Sequence, residues 1–257
     1  MVEGKQTTFF IFVVFLAIVV YLMKRAQEGK VPHIRRIAGL DAIEEAVGRA
    51  TELGRPVFYV PGRTEINTAG AAQTIAGLEI LGQVAKLTAR YDTELKVGVC
   101  APNVYPIADA VVRQSYLEEG KPEVVKPETV QFLSQQQFAF AAGCLSIMHQ
   151  DKSASVIMIG EFQAESMMLA EAAAQVGAVT IAGTSRAFQI PFFVAACDYT
   201  LIGEEMFAGG AYLTNDPGKT ANLAAQDYGK MFAFAYILVG SLLVTMGSTQ
   251  LLEFLKR

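Results

Sequence analysis

The uncharged run from Thr7 to Met23, TTFFIFVVFLAIVVYLM, constrains this chain more than any other stretch. In hydrocarbon a single segment satisfies its own backbone polar groups only as a helix. At about 1.5 Å rise per residue, roughly 17 to 20 helical residues cross a core of about 30 Å. The run therefore predicts a membrane span, and the rest of the chain is expected to be tethered to a bilayer. MVEGKQ before the run mixes one acidic and one basic residue, and YLMKRAQ after it lacks the small residues of a signal-cleavage site. The expectation is an uncleaved anchor.

A second apolar run, Met231 to Leu252, is bounded by Lys230 on one side and by Lys256 and Arg257 on the other. It predicts a second span. Lys24, Arg25, Lys30, Arg35 and Arg36 follow the first run, against Lys5 alone before it. The positive-inside rule then places the intervening domain in the cytoplasm and both termini outside the inner membrane. The same five basic side chains could meet anionic lipid headgroups at about 1 kcal/mol each, although topology alone accounts for them. Gly240, Ser241, Gly247 and Ser248 put small residues on one face of the second span, where another helix could approach closely. The expected organisation is an anchor over 1–24, a basic linker with an amphipathic helix over 25–56, an α/β domain over 57–229 and a C-terminal span over 230–257.

Between the spans the pattern alternates. Leu40, Ile43, Val47 and Leu53 recur at helical spacing and stop at Gly54 and Pro56. Short apolar strands are expected at VFYVPG, ELKVGVC, SASVIMIGEF, AVTIAGTS and DYTLIGEE, with helices over Thr68 to Tyr91, Tyr105 to Glu119, Gln136 to His149 and Ala164 to Val176. KPEVVKPETV is expected to be extended because of Pro122 and Pro127, and MFAGGAYLTND to be helical. Continuous apolar strands separated by helices indicate a mainly parallel sheet covered on both faces. Right-handed crossovers make this a Rossmann-like, doubly wound α/β fold, here flanked by two transmembrane helices.

Charge and cysteine usage exclude several classes. A net charge of -4 argues against nucleic acid as a partner. Cys100, Cys144 and Cys197 are far apart and form no CxxC pair or metal-ligand spacing with His33 or His149. They are read as buried small hydrophobes, and no metal or cofactor is expected. The chain has no G-x-G-x-x-G turn, no G-x-x-x-x-G-K-[ST] loop and no G-x-S-x-G elbow. Nucleotide-binding motifs and a Ser-His triad are therefore not expected.

In a doubly wound sheet, ligands bind beyond the carboxyl ends of the strands. That selects a rim of Arg63, Asn103, Glu161, Glu165, Thr184, Ser185, Arg186, Glu204 and Glu205, as a site for either a ligand or another subunit. Glu161 and Glu165, four apart, could share one helix face and do acid/base work. The helix dipole alone also favours acidic residues in a first turn. Arg63 and Arg186 are placed to pair with these glutamates across adjacent loops.

The segments IRRIAGLDAIEEAVGRATELGRPVFYVPG and YTLIGEEMFAGGAYLTNDP resemble an uncharacterised family of bacterial and archaeal membrane proteins, domain-of-unknown-function family 6754. The resemblance covers nearly the whole chain. It implies an anchored α/β architecture and carries no residue role. With catalytic signatures absent and small-residue faces at Gly70, Ala71, Ala72, Ala76 and Gly77 and at Ala172 to Ala174, the leading expectation is non-enzymatic. It is a membrane-anchored scaffold or accessory subunit, partnered by the lipid bilayer, that forms a homo-oligomer or docks onto a membrane complex. The alternative is a small-molecule-binding or catalytic domain using the same rim.

Overall fold

A computed structural model describes residues 6–27, 35–214 and 216–245, with some side chains in the first and last helices outside that set. The chain divides into two compact units. One holds the α/β fold over Arg35–Thr214, and the other contains helices α1 (Gln6–Gln27) and α9 (Pro217–Thr245).

The α/β unit opens with α2 (Ala38–Leu53), an amphipathic helix ended by Gly54 in the left-handed region at φ 61°. The sequence assigns this helix to a linker. It belongs instead to the α/β unit, because Leu40, Ile43 and Val47 are buried and the carbonyl of Ala46 accepts a 2.7 Å bond from Ser155 Oγ. Strand and helix then alternate: β1 (Val57–Val60), α3 (Ala71–Arg90), β2 (Leu95–Val99), α4 (Tyr105–Glu118), β3 (Val130–Phe132), α5 (Gln137–Asp151), β4 (Ser155–Ile159), α6 (Glu165–Gln175), β5 (Val179–Thr184), α7 (Ile190–Ala196), β6 (Tyr199–Ile202) and α8 (Glu204–Thr214).

The six strands form one sheet in the order β3-β2-β1-β4-β5-β6, every neighbouring pair parallel. This is the doubly wound order of a Rossmann-like fold, with its reversal between β1 and β4. Side chains alternate across the pleat, so one face of the sheet packs Phe58, Val60, Val156 and Met158 against Phe140, Phe162, Leu169 and Phe193. Phe162 and Phe193 meet edge to face with centroids 5.7 Å apart. Burial of each such ring stabilises the fold by about 1.5–3 kcal/mol. On the opposite face Tyr59 donates to the carbonyl of Gly77 in α3 at 2.5 Å. α3 lies so close that a Cβ on Gly77 would be 2.6 Å from the Ile159 carbonyl oxygen.

Three elements depart from the sequence pattern. The KPEVVKPETV segment is not extended throughout, since Pro122–Val124 forms a 3-10 turn before β3. DYTLIGEE does not remain a strand to its end: β6 stops at Ile202, and Glu204 and Glu205 begin α8. The last helix starts at Pro217, well before Met231. Asp216 caps it, its Oδ1 accepting from the backbone N–H of Gly218 at 2.7 Å and of Lys219 at 3.2 Å, with proline in the first turn.

In the other unit α1 packs against α9, where a Cβ on Gly229 would come within 2.7 Å of Phe15 Cε2. Phe12, Leu16, Tyr21, Phe232, Phe234 and Ile237 are exposed along these helices. Among the described residues, no helix is long and apolar enough to cross a membrane.

Candidate functional site

The reversal of strand order puts the crevice of this fold at the carboxyl ends of β1 and β4. Two glycines let the loops after these strands touch there. Gly62 has φ 80° and Gly160 φ 147°, both in the region side chains rarely adopt. A Cβ on Gly62 would lie 2.7 Å from the Glu161 backbone nitrogen, and one on Gly160 would lie 2.6 Å from the Pro61 carbonyl oxygen. Arg63 N–H closes the contact by donating to the Glu161 carbonyl at 2.9 Å.

Glu161 and Glu165 do not share a helix face. Glu161 precedes α6 and turns toward the amino end of α3, where it accepts from Gln73 Nε2 at 3.5 Å and pairs with Arg186. Gln73 is buried, and its Oε1 accepts from Ser185 N–H at 3.1 Å and from Thr184 Oγ1 at 3.4 Å. Thr184 Oγ1 in turn accepts from Arg186 N–H at 3.2 Å. Gln189, also buried, accepts from Phe162 N–H at 3.1 Å and donates through Nε2 to the Gln163 carbonyl at 3.1 Å. The loops after β1, β4 and β5 are thus sewn together by the chain's own carboxylate and amides.

Glu165 turns the other way, into the protein. Its side chain is fully buried, accepting from Gln163 N–H at 2.8 Å and from Gln137 Nε2 at 2.6 Å. Arg63 lies 3.9 Å from it and reaches Gln163 Oε1 at 3.4 Å and the Gln135 carbonyl at 3.3 Å. Asn103 joins this side of the rim by donating to Glu65 Oε2 at 3.4 Å. Burial pushes the Cys100 thiol up, with the Arg63 guanidinium opposing it.

The other candidates lie apart from this cluster. Glu205 accepts from Ile202 N–H at 3.1 Å and pairs with Arg35 at 2.6 Å, and Glu204 stands beside it in the first turn of α8. Arg36 pairs with Asp41 at 2.5 Å. Lys24 is exposed on α1, the Arg25 side chain is not described, and Lys30 lies outside the described residues. Gly240 is half-buried and Ser241 exposed on α9, whereas Gly247 and Ser248 lie outside the described residues. Among the described residues no cluster of three His, Cys, Asp or Glu side chains could hold a metal.

Sequence reasoning missed the amides of Gln73, Gln137 and Gln189. Gln73, Gln137, Gln163 and Gln189 fasten the rim, and the one signal for them was a polar residue within apolar helical pattern, as at Gln73 among Ala71, Ala72 and Ile75. Together these features define an α/β protein of Rossmann-like topology whose switch-point crevice is closed by internal pairing. A family model described as "Domain of unknown function (DUF6754)" matches residues 1–255, and the chain belongs to that family. Neither the curated proteins nor the solved structures contain a match.

Proposed function

We propose that the protein is a non-enzymatic, membrane-anchored scaffold whose α/β unit self-associates. The observation that carries this reading is a contrast at the carboxyl edge. Glu161 and Arg186 there are paired with each other, while large apolar side chains beside them stay uncovered. Phe138 at the start of α5, Met167 on α6 and Phe188, Phe192 and Val194 around α7 are between 46% and 68% exposed. They flank loops joined by the Gln137–Glu165 and Gln189–Gln163 bonds. Exposed apolar groups concentrated in this way mark a protein interaction surface.

The anchor rests on the amino-acid sequence of α1 and α9, including positions whose side chains are not described, such as Phe10, Ile11, Val14 and Leu22. The outward Phe12, Leu16, Phe234 and Ile237 suit lipid better than water. The basic residues after α1 favour a cytoplasmic α/β unit at the inner membrane. A small-molecule or catalytic role for the whole rim is less well supported, because Glu161 and Arg186 are held by each other.

The test is carbonate extraction of membranes followed by protease treatment of sealed and of inverted vesicles. The expected result is a membrane-retained chain whose α/β unit is cut only in inverted vesicles. Release by carbonate, or cutting in sealed right-side-out cells, overturns the anchored, cytoplasmic reading.

A further inference from the structure

Two buried side-chain atoms at the carboxyl edge, Arg63 Nε and Asn103 Oδ1, have no hydrogen-bond partner among the described residues. The first can only donate and the second can only accept. They sit in the loops after β1 and β2, which are neighbours in the sheet. Buried polar atoms are nearly always paired, because their lost hydration is otherwise not returned.

The groups around them are under-used in a complementary way. The Arg63 guanidinium reaches the Gln135 carbonyl at 3.3 Å, Gln163 Oε1 at 3.4 Å and, through Nε, Glu165 at 3.9 Å, all long for a charge-assisted bond, and it also hydrogen-bonds the weakly accepting Cys100 sulfur. Glu165, by contrast, is filled at short range by Gln137 and the Gln163 backbone, so it offsets the charge of Arg63 without occupying its donors. On the same loop as Arg63, Glu65 accepts a long 3.4 Å bond from Asn103 Nδ2 of the loop after β2, and Asn103 Oδ1 receives none. Cys100 is buried between them, its thiol donating to the Gln135 carbonyl at 3.8 Å and lying within electrostatic reach of Arg63, Glu65 and Glu165. A cationic donor with unfilled capacity therefore stands beside a carboxylate and an amide oxygen that need donors.

We propose that the loops after β1 and β2 bind a small zwitterion of the α-amino-acid class, its carboxylate on Arg63 and its ammonium on Asn103 Oδ1 and Glu65. A simple oxyanion answers Arg63 alone and is repelled by Glu65 and Glu165. A simple amine answers Asn103 and Glu65 and is repelled by Arg63. A molecule carrying both charges a few bonds apart meets both demands. This site does not depend on the membrane anchor or on self-association.

The experiment is calorimetric titration of the full chain in mild detergent with glycine and L-serine. Acetate, ethanolamine and glycine betaine serve as partial analogues, the last keeping both charges but lacking N–H donors. Saturable binding of glycine or L-serine is expected, with each partial analogue weaker by about tenfold or more, the factor set by one lost polar contact. Arg63→Gln and Asn103→Leu should each weaken binding by a similar factor. Asn103→Leu also removes an unpaired buried acceptor, so the melting temperature of its unliganded form should not fall, which separates a ligand contact from a structural one. No saturable binding of either amino acid overturns the proposal. So does acetate binding as tightly as L-serine, or undiminished binding in both variants.

Discussion

The carboxylate of Glu161 lies directly against Gly70 at the amino end of α3, where a Cβ would overlap its Oε2. In a doubly wound fold that helix end commonly receives a ligand's phosphate, drawn by free backbone N–H groups and the helix dipole. Here the protein's own anion, shared with Arg186, stands at that position.

Removing that anion should expose a vacant, positively biased notch. Glu161→Ala is expected to cost about 1–3 kcal/mol of stability, since Arg186 and Gln73 lose their partner. Formate, which restores a carboxylate of the right size, should recover part of the loss, and sodium chloride at equal ionic strength should not. Thermal unfolding with and without formate checks this.

A pair of glycines should respond with opposite sign. Gly160→Ala forces a side chain into φ 147° and against the Pro61 carbonyl, so it should destabilise by about 2 kcal/mol or more. Gly48 sits within α2 with nothing inside 4 Å of its added Cβ. Gly48→Ala should stabilise by about 0.5–1 kcal/mol, through helix propensity and a less mobile unfolded chain. Denaturant titration of the two variants against the parent chain reads both signs.

These contrasts show which parts of the fold were legible in the sequence. Val57 to Val60 and Ser155 to Ile159 are uninterrupted apolar runs, and their parallel, doubly covered pairing follows from that alone. Arg63 and Arg186 were legible as partners for glutamates because each lies in a polar loop that follows a strand. The divergence of Glu161 from Glu165 was not, because it depends on where α6 begins. Gln73, Gln137 and Gln189 were missed because an amide has no charge to announce its role. β3 is only three residues long and follows a proline-broken segment, so periodicity could not mark it.

The thiols should be slow to react in the folded chain. Burial pushes the Cys197 thiol up to about 12, and raises Cys100 and Cys144 as well. The thiolate is the reactive form, so alkylation of Cys197 at pH 8 should run about a thousandfold slower than that of a free cysteine. Mass-resolved labelling with iodoacetamide, repeated in denaturant, measures the ratio.

One surface cluster should carry a small pH dependence. Asp41 is held below the ordinary aspartate value, first by the Tyr212 hydroxyl, which donates at 2.7 Å, and then by Arg36. A lowered folded value means the unfolded chain binds more protons. The cluster's contribution is therefore whole above about pH 4 and is lost as pH falls through the folded value. Tyr212→Phe should move the Asp41 carboxyl resonance midpoint upward in an NMR titration.

Self-association through the apolar edge is tested most directly by light-scattering mass in mild detergent, comparing the full chain with Phe188→Asp/Phe192→Asp. Both side chains are exposed, so the double variant should melt at the parent temperature. The expected result is a particle of more than one copy for the parent chain and of one copy for the variant. A parent chain that is strictly monomeric, or a variant whose mass equals that of an oligomeric parent, would contradict it.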